Sequence, residues 1–407
     1  MRDSPSHQGE ASTRVLVIVP SSFCYGLQHL TLSLFPRAHP RFTVHFLNTR
    51  WNDGEFPRRV AELGHAQSFT WFGMFSRKLD WYNLRMTLEC VAKLPVTWWE
   101  FWSLHRKFRP AVIYLANYHE LILLWPLLLW LRRKVVCHMH DPPPAIPFQR
   151  MSFSLWSMAV GRFIYISESV QSRTRALGRA ADRGTVVHNG VAVDATPRRS
   201  RGNRFIRQFG WPEDAVVVGL TGQMTRTKGH EDFIEAAALA LARVPTLRFV
   251  IGGKPLEPFC TGLREKITAD LPAGICELAG WLPQAREFYE NIDVFVLASR
   301  HDEGFGLVVA EALERGCAVV ATRSGGAAEI VEDGASGFLV AKQAPHEIAD
   351  RLVALALEPG LRARLATAGR ARAAEKFNLD RQVAVFERAL AEVGATGAAL
   401  PVSTRST

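Results

Sequence analysis

The chain has few cysteines and no grouping of them that would staple a fold or hold a metal. Six occur in 407 residues, at 24, 90, 137, 260, 276 and 317, with no C-x-x-C. A disulfide framework and a zinc site are therefore disfavoured, and a reducing, cytoplasmic compartment is expected. Long apolar runs are missing too. The longest, 121–131, is interrupted by Pro126, whereas a bilayer-spanning helix needs about 20 apolar residues. The first dozen residues are polar and lack the apolar centre of a signal peptide. No G-x-G-x-x-G follows the first strand-like run, which weakens a dehydrogenase reading, and no repeat of solenoid period is visible. Acidic charge is scarce in one half only: residues 1–200 carry 25 Lys and Arg against 13 Asp and Glu, while the rest of the chain nets −2 within a total of +10.

What is present suits two domains of about 200 residues, each able to bury its own core. Nine of the eleven tryptophans precede residue 157, in stretches such as WFGMFSRKLDWY (71–82) and TWWEFW (97–102). Aromatics interleaved with Arg and Lys suit a membrane interface, where one end of the ring is apolar and the other wet. Packing in a buried helical layer is the competing reading.

Along the chain, strand-type runs alternate with helical periodicity, the pattern of parallel α/β sheets. Strands are expected at 15–19, 42–47, 112–116, 134–138 and 163–166, and again at 216–220, 247–253, 294–298 and 318–321. The segment 51–108 is harder to parse and is read as helical in part. Ser167-Glu168-Ser169 suits a helix start, and Asn189-Gly190-Val191 a turn. Pro, Arg, Ser and Gly then mark a linker. The expected organisation is a tail at 1–12, a first domain at 13–196, a linker at 197–213, a second domain at 214–393 whose last helix packs back on the first, and a tail at 394–407.

Both domains pair a strand with a glycine turn and a helix. After the first strand, Gly26 opens a helical pattern. After the strand at 216–220 come Gly222, Gln223 and Lys228-Gly229, and a lysine near a helix start suits a phosphate as a point charge. Two histidines, His138 and His140, end the strand at 134–138; a shared zinc needs a third ligand that the spacing does not offer.

The most ordered stretch is 299–340. Glu303, then Gly304-Phe305-Gly306, leads into an apolar helix with Leu307 and Val308 at its start and Glu311 inside it. A strand follows, then Ser324-Gly325-Gly326 and Glu329. In an open sheet, ligands settle beyond the carboxyl ends of the strands. The N–H groups of residues 305–308 suit a phosphate, and a carboxylate accepts hydrogen bonds from vicinal hydroxyls such as those of ribose or a hexose. A loop acid and a solvated helix acid are the bland alternatives for Glu303 and Glu311.

This set resembles the donor-site signature of family 4 retaining glycosyltransferases. The resemblance implies the α/β GT-B fold, two facing Rossmann-like domains with parallel sheets and an interdomain cleft. It implies transfer of a hexosyl group from a nucleotide diphosphate sugar to a glycan, lipid-linked or small-molecule acceptor, with Glu303 on the donor hexose, Glu311 on the ribose, Lys228 on the departing diphosphate and His140 on the hexose. Gly26, Gly222, Gln223, Gly304, Phe305, Gly306, Leu307, Val308 and Glu329 are expected to line the donor. Gln223 stands where such enzymes usually have Arg; Arg226 is either a substitute cation or a solvated surface residue. Trp281 resembles a residue near the nucleotide base, core packing being the alternative.

No D-x-D of metal-dependent transferases is present, so neither metal nor cofactor is expected. Nucleic acid is not an expected partner, and an anionic membrane surface is. Polysaccharide biosynthesis and a cytoplasmic place, peripheral on the inner face of a membrane, complete the expectations. A nucleotide-sugar epimerase of the same architecture and a catalytically silent membrane-bound scaffold are the rival readings.

Overall fold

Uninterrupted apolar runs become fully buried parallel strands, as expected where helices cover both faces of a sheet. Residues 15–18 and 294–296 are 0% exposed. The computed structural model describes residues 12–19, 26–37, 41–71, 81–143, 147–178, 182–194, 203–282 and 284–398. Residues 1–11 of the tail expected at 1–12, the loop before Gly26, the residues 195–202 and the end from 399 lie outside them.

Contacts divide the chain into two units. One comprises Met1–Ile166, Val170–Val187 and Val383–Thr407, the other Ser167–Ser169 and His188–Gln382. The first holds β1 (Thr13–Val19), β2 (Phe42–Thr49), β3 (Ala66–Thr70), β4 (Val112–Leu115), β5 (Val135–Met139), β6 (Arg162–Tyr165) and β7 (Gly184–Val186). These pair in parallel in the order β3-β2-β1-β4-β5-β6-β7. Its connections are α1 (Gly26–Arg37), α2 (Glu55–Glu62), α3 (Trp81–Phe108), α4 (His119–Trp130), α5 (Pro147–Trp156) and α6 (Glu168–Arg175). Right-handed crossovers place α1 and α2 on one face of this sheet and α3, α4 and α5 on the other.

The second unit begins with α7 (Arg204–Phe209) and holds β8 (Val216–Thr221), α8 (His230–Leu241), β9 (Leu247–Gly252), α9 (Phe259–Asp270), β10 (Cys276–Gly280) and α10 (Ala285–Tyr289). It continues through β11 (Val294–Leu297), α11 (Leu307–Glu314), β12 (Ala318–Thr322), α12 (Ala327–Ile330), β13 (Phe338–Val340), α13 (Pro345–Leu357) and α14 (Pro359–Lys376). Its strands are parallel in the order β10-β9-β8-β11-β12-β13.

Three boundaries differ from expectation. Residues 204–209, expected as linker, form α7: Asn203 accepts hydrogen bonds from the N–H groups of Phe205 and Ile206 as its cap, and Phe205 is buried against Phe288. The last helix, α15 (Leu379–Ala398), runs beyond 393. From Val383 on it counts with the first unit, because Phe386 packs on Phe35, Tyr114 and His138. Within 51–108 the structure adds α2 and β3, and α3 runs for 28 residues through Pro95.

Candidate functional site

In the second sheet, β8 and β11 are neighbours, yet the chain leaves β8 toward β9 and leaves β11 toward β12 on the other side. The loops after such a pair diverge and leave a crevice at the carboxyl ends of the strands. Both loops carry the charged residues singled out above. Lys228 ends a 3₁₀ turn, Arg226–Lys228, after β8. Gly229 follows with φ 70°, and a Cβ there would lie 1.9 Å from the Ala298 carbonyl oxygen. The turn is thereby pressed onto the end of β11, and only glycine fits.

That contact brings Lys228 to Glu303. Its Nζ donates to both carboxylate oxygens, at 2.8 and 2.9 Å, and the Ser299 hydroxyl donates to Oε1 as well. Glu303 is 8% exposed, so the bland reading of a solvated loop acid does not hold. A buried carboxylate needs such charge-assisted partners. The Ser324-Gly325-Gly326 loop closes on the same backbone: Gly326 N–H donates to the Glu303 carbonyl at 3.0 Å. A Cβ on Gly325 or Gly326 would lie 2.4 Å from the carbonyl oxygen of Glu303 or Gly304 respectively.

Gly306, at φ 93°, caps α11. The N–H groups of Leu307 and Val308 in its first turn have no acceptor within the helix, which makes this end a seat for an anion. Phe305 is buried against His188 and Phe377, and the Ser167 hydroxyl donates to the Gly304 carbonyl at 2.6 Å. One turn on, Glu311 accepts a hydrogen bond from the Tyr289 hydroxyl at 2.9 Å. Burial raises its carboxyl to about 7; the Tyr289 bond opposes this, and the nearby Glu314 charge adds to it. Glu311 is not a solvated helix acid.

Glu329 has both oxygens engaged within the chain. Oε1 accepts from the Ser169 N–H, and Oε2 accepts from the Glu168 N–H and from His188 Nε2. Burial raises its pKa, but those donated bonds outweigh it and hold the carboxyl below the ordinary value. The Glu168 and Ser169 N–H groups, in the Ser167-Glu168-Ser169 stretch read as a helix start, are thereby held by this acid. Gly222 is joined through its N–H to the Gly252 carbonyl, and Gln223 is exposed. Arg226 is also exposed, 3.9 Å from Glu231, beside a cavity of about 340 Å³ that both residues line together with Phe259 and Lys266. Trp281 is 67% exposed, so the core-packing alternative fails for it.

Two site residues lie in the first unit. Gly26 opens α1. His140 follows β5, its ring 4.4 Å from that of His138. His138 is buried and bonds the Tyr114 hydroxyl through Nδ1 at 2.6 Å, whereas Nε2 of His140 has no hydrogen-bond partner. Burial lowers His140 to about 3, so its ring is neutral. Sequence reasoning missed Ser299, Tyr289 and His188, whose partners lie 4, 22 and 141 positions away. Only the Ser299 spacing is local enough to have been noticed.

The sequence profile described as Glycosyltransferase Family 4 matches residues 26–195, and that of Glycosyl transferases group 1 matches 203–372. The chain belongs to the family 4 glycosyltransferases. Among curated relatives, this family 4 chain is 34% identical over 205 residues to a D-inositol 3-phosphate glycosyltransferase of Thermobifida fusca, covering 47% of this chain and 46% of that one. The enzyme of the same name from Geodermatophilus obscurus is 37% identical over 218 residues, 49% of this chain and 45% of that one. The chain thus spans about half the length of the curated relatives it matches. Among solved structures, Anabaena Alr3699/HepE in complex with UDP and glucose superposes with a TM-score of 0.74 at 21% identity, over 94% of this chain and 100% of that one. The likeness shows the GT-B fold for this glycosyltransferase.

Proposed function

We propose that this chain is a retaining hexosyltransferase that takes its sugar from a nucleotide diphosphate donor. The observation that carries the reading is the Lys228–Glu303 contact at the β8/β11 crevice, beside the free N–H groups that open α11. The HepE complex holds UDP and glucose, and the named relatives are glycosyltransferases, which supports a nucleotide sugar as donor.

In the transfer, the bond between the anomeric carbon and the diphosphate oxygen breaks, and its electron pair stays on the phosphate. The acceptor hydroxyl oxygen forms the new bond, and its proton passes to a leaving phosphate oxygen. Lys228 and the α11 N–H groups oppose the growing negative charge, and they are already in place before reaction. Glu303 takes the hexose hydroxyls and holds Lys228 in position, and Glu311 takes the ribose. The neutral His140 ring, with an unpartnered Nε2, accepts or donates one hydrogen bond to a sugar hydroxyl. Exposed Gln223 carries no charge, so Lys228 and Arg226 supply the side-chain cations on this loop.

The chemistry proposed for these residues needs no metal ion, and the acceptor class is a glycan or a lipid-linked saccharide. A thermal-shift screen with UDP, GDP and ADP sugars tests the donor. One of the three should stabilise the wild type, Glu311→Ala should lose most of that shift, and Glu303→Ala should keep it while losing turnover. No shift with any donor would end the reading. Turnover that EDTA abolishes and manganese restores would remove its metal-free part.

A further inference from the structure

A second feature lies at the opposite edge of the first unit's sheet from His140. Before β5 stand Arg132 and Arg133, β6 starts at Arg162, and Arg183 precedes β7. Because these strands are parallel, the four arginines share the amino-terminal edge, while His140 follows the carboxyl end of β5. They line a cavity of about 620 Å³ with Glu392. Arg162 pairs with Glu392 and donates to the Thr185 hydroxyl at 2.7 Å, and its Nε is buried without a hydrogen-bond partner. Arg132, Arg133 and Arg183 are exposed and have no carboxylate partner among the described residues.

The cationic row continues along this edge. Lys134 Nζ donates to the Pro110 carbonyl at 3.2 Å, and Arg14 Nε to the Arg109 carbonyl at 3.0 Å. Burial, and to a lesser extent the charge of Arg14, hold Lys134 below its ordinary value.

Large apolar side chains are exposed at the same edge. Helices α3 and α4 end where the next strand starts, so their last turns arrive here. Trp98 Nε1 donates to the Leu123 carbonyl at 2.8 Å and sets the two helices in step. Trp130, the last residue of α4, is 88% exposed, and Trp102, nearer the end of α3, is partly exposed and lies under Arg106; Trp99, also exposed, stands a turn farther from the edge. Met158, just before β6, is exposed as well. A monomer surface rarely leaves so much apolar area in water without a partner. Tryptophan beside arginine is the composition of a bilayer interface, where the ring sits at headgroup level and the guanidinium meets phosphate.

We infer that the amino-terminal strand edge of the first unit docks on a bilayer that carries anionic phospholipid. Trp130 and Met158 enter the headgroup layer, and Arg132, Arg133 and Arg183 take lipid phosphates at the mouth of the cavity. The occupant is a lipid surface and not a free polyanion, because arginines alone would serve the latter and the exposed tryptophans would stay unexplained. Docking of this kind leaves the carboxyl edge that carries His140 uncovered. The inference does not depend on the proposed transfer reaction.

Cosedimentation of the full chain with vesicles tests it. Vesicles of phosphatidylcholine with phosphatidylglycerol should bind the protein, vesicles of phosphatidylcholine alone should not, and added salt should weaken the binding. The triple variant Arg132→Glu, Arg133→Glu, Arg183→Glu should bind the mixed vesicles about a hundredfold more weakly. Trp130→Ala, which leaves charge unchanged, should bind about tenfold more weakly. The equal charge change made as Arg58→Glu, Arg243→Glu, Arg264→Glu should stay within about twofold of wild type. Equal loss in both triple variants, no effect of Trp130→Ala, or binding of soluble polyphosphate or nucleic acid in place of vesicles would each overturn the inference. Cooperative thermal unfolding of every variant, measured without vesicles or nucleotide, reports folding and keeps this outcome separate from that of the transfer reading.

Discussion

At the scale of single residues, Glu311 is the acid whose environment does most to set its chemistry. Its carboxyl titrates at about 7 in the folded chain because burial penalises the charge, against about 4.3 when exposed. A group raised in this way adds stability below its unfolded value and loses it as pH climbs through its folded value. The contribution is therefore complete below pH 4.5 or so and gone above about 7, and it amounts to about 2 kcal/mol, since the residue is not fully enclosed. Glu311→Gln keeps the shape and removes the titration, so its unfolding midpoint should change less than that of the wild type between about pH 5 and 7. Identical pH profiles for the two proteins, measured by urea unfolding, would show that the carboxyl does not titrate there. The pair Glu303 and Glu311 was legible in the sequence because glycine punctuation and an apolar helix stripe surround it locally. The partners that give each acid its properties, Lys228 and Tyr289, lie 75 and 22 positions away, and no spacing rule reaches that far.

At the scale of elements, the loops after β8, β11 and β12 act as one assembly because glycines let their backbones touch. Gly229→Ala combines an unfavourable left-handed φ with a clash against a carbonyl that cannot move without disturbing β11. It should destabilise the second unit by about 2–4 kcal/mol. That corresponds to a Tm lower by roughly 5–10 °C in calorimetry. Turnover should fall as well, because the Ala298 contact sets the height of Lys228. A Tm within error of wild type would mean that the turn relaxes freely and does not position the lysine. Apolar strands were the easiest elements to see in advance, since a continuous run in a parallel sheet has no competing pattern. Helix α3 was hard to see. It carries Pro95, and Phe101 and Trp99 face opposite environments, one buried and one 70% exposed. Trp98 and Phe101 meet the packing reading, whereas Trp99 stays in solvent, so no single pattern along this helix announced it.

At the scale of the whole chain, the residues assigned to the donor divide unequally. Lys228, Glu303, Glu311 and their supports Ser299, Tyr289 and His188 all fall in the second unit, whereas Gly26 and His140 fall in the first. The second unit also has a hydrophobic core of its own, with Val218, Phe233, Phe249, Val296, Val320 and Leu352 at its centre. A fragment of residues 188–382 is therefore expected to unfold cooperatively and to bind the nucleotide moiety of the donor within about tenfold of the full chain, because each contact proposed for ribose and diphosphate, apart from Gly26, is retained. Sugar transfer by the fragment should be undetectable, since His140, proposed for the hexose, is missing. Calorimetric titration with the nucleoside diphosphate that stabilises the full chain decides the point. Binding by the full chain with none by a cooperatively folded fragment would place the dominant nucleotide contacts in the first unit and displace Glu311 from its role.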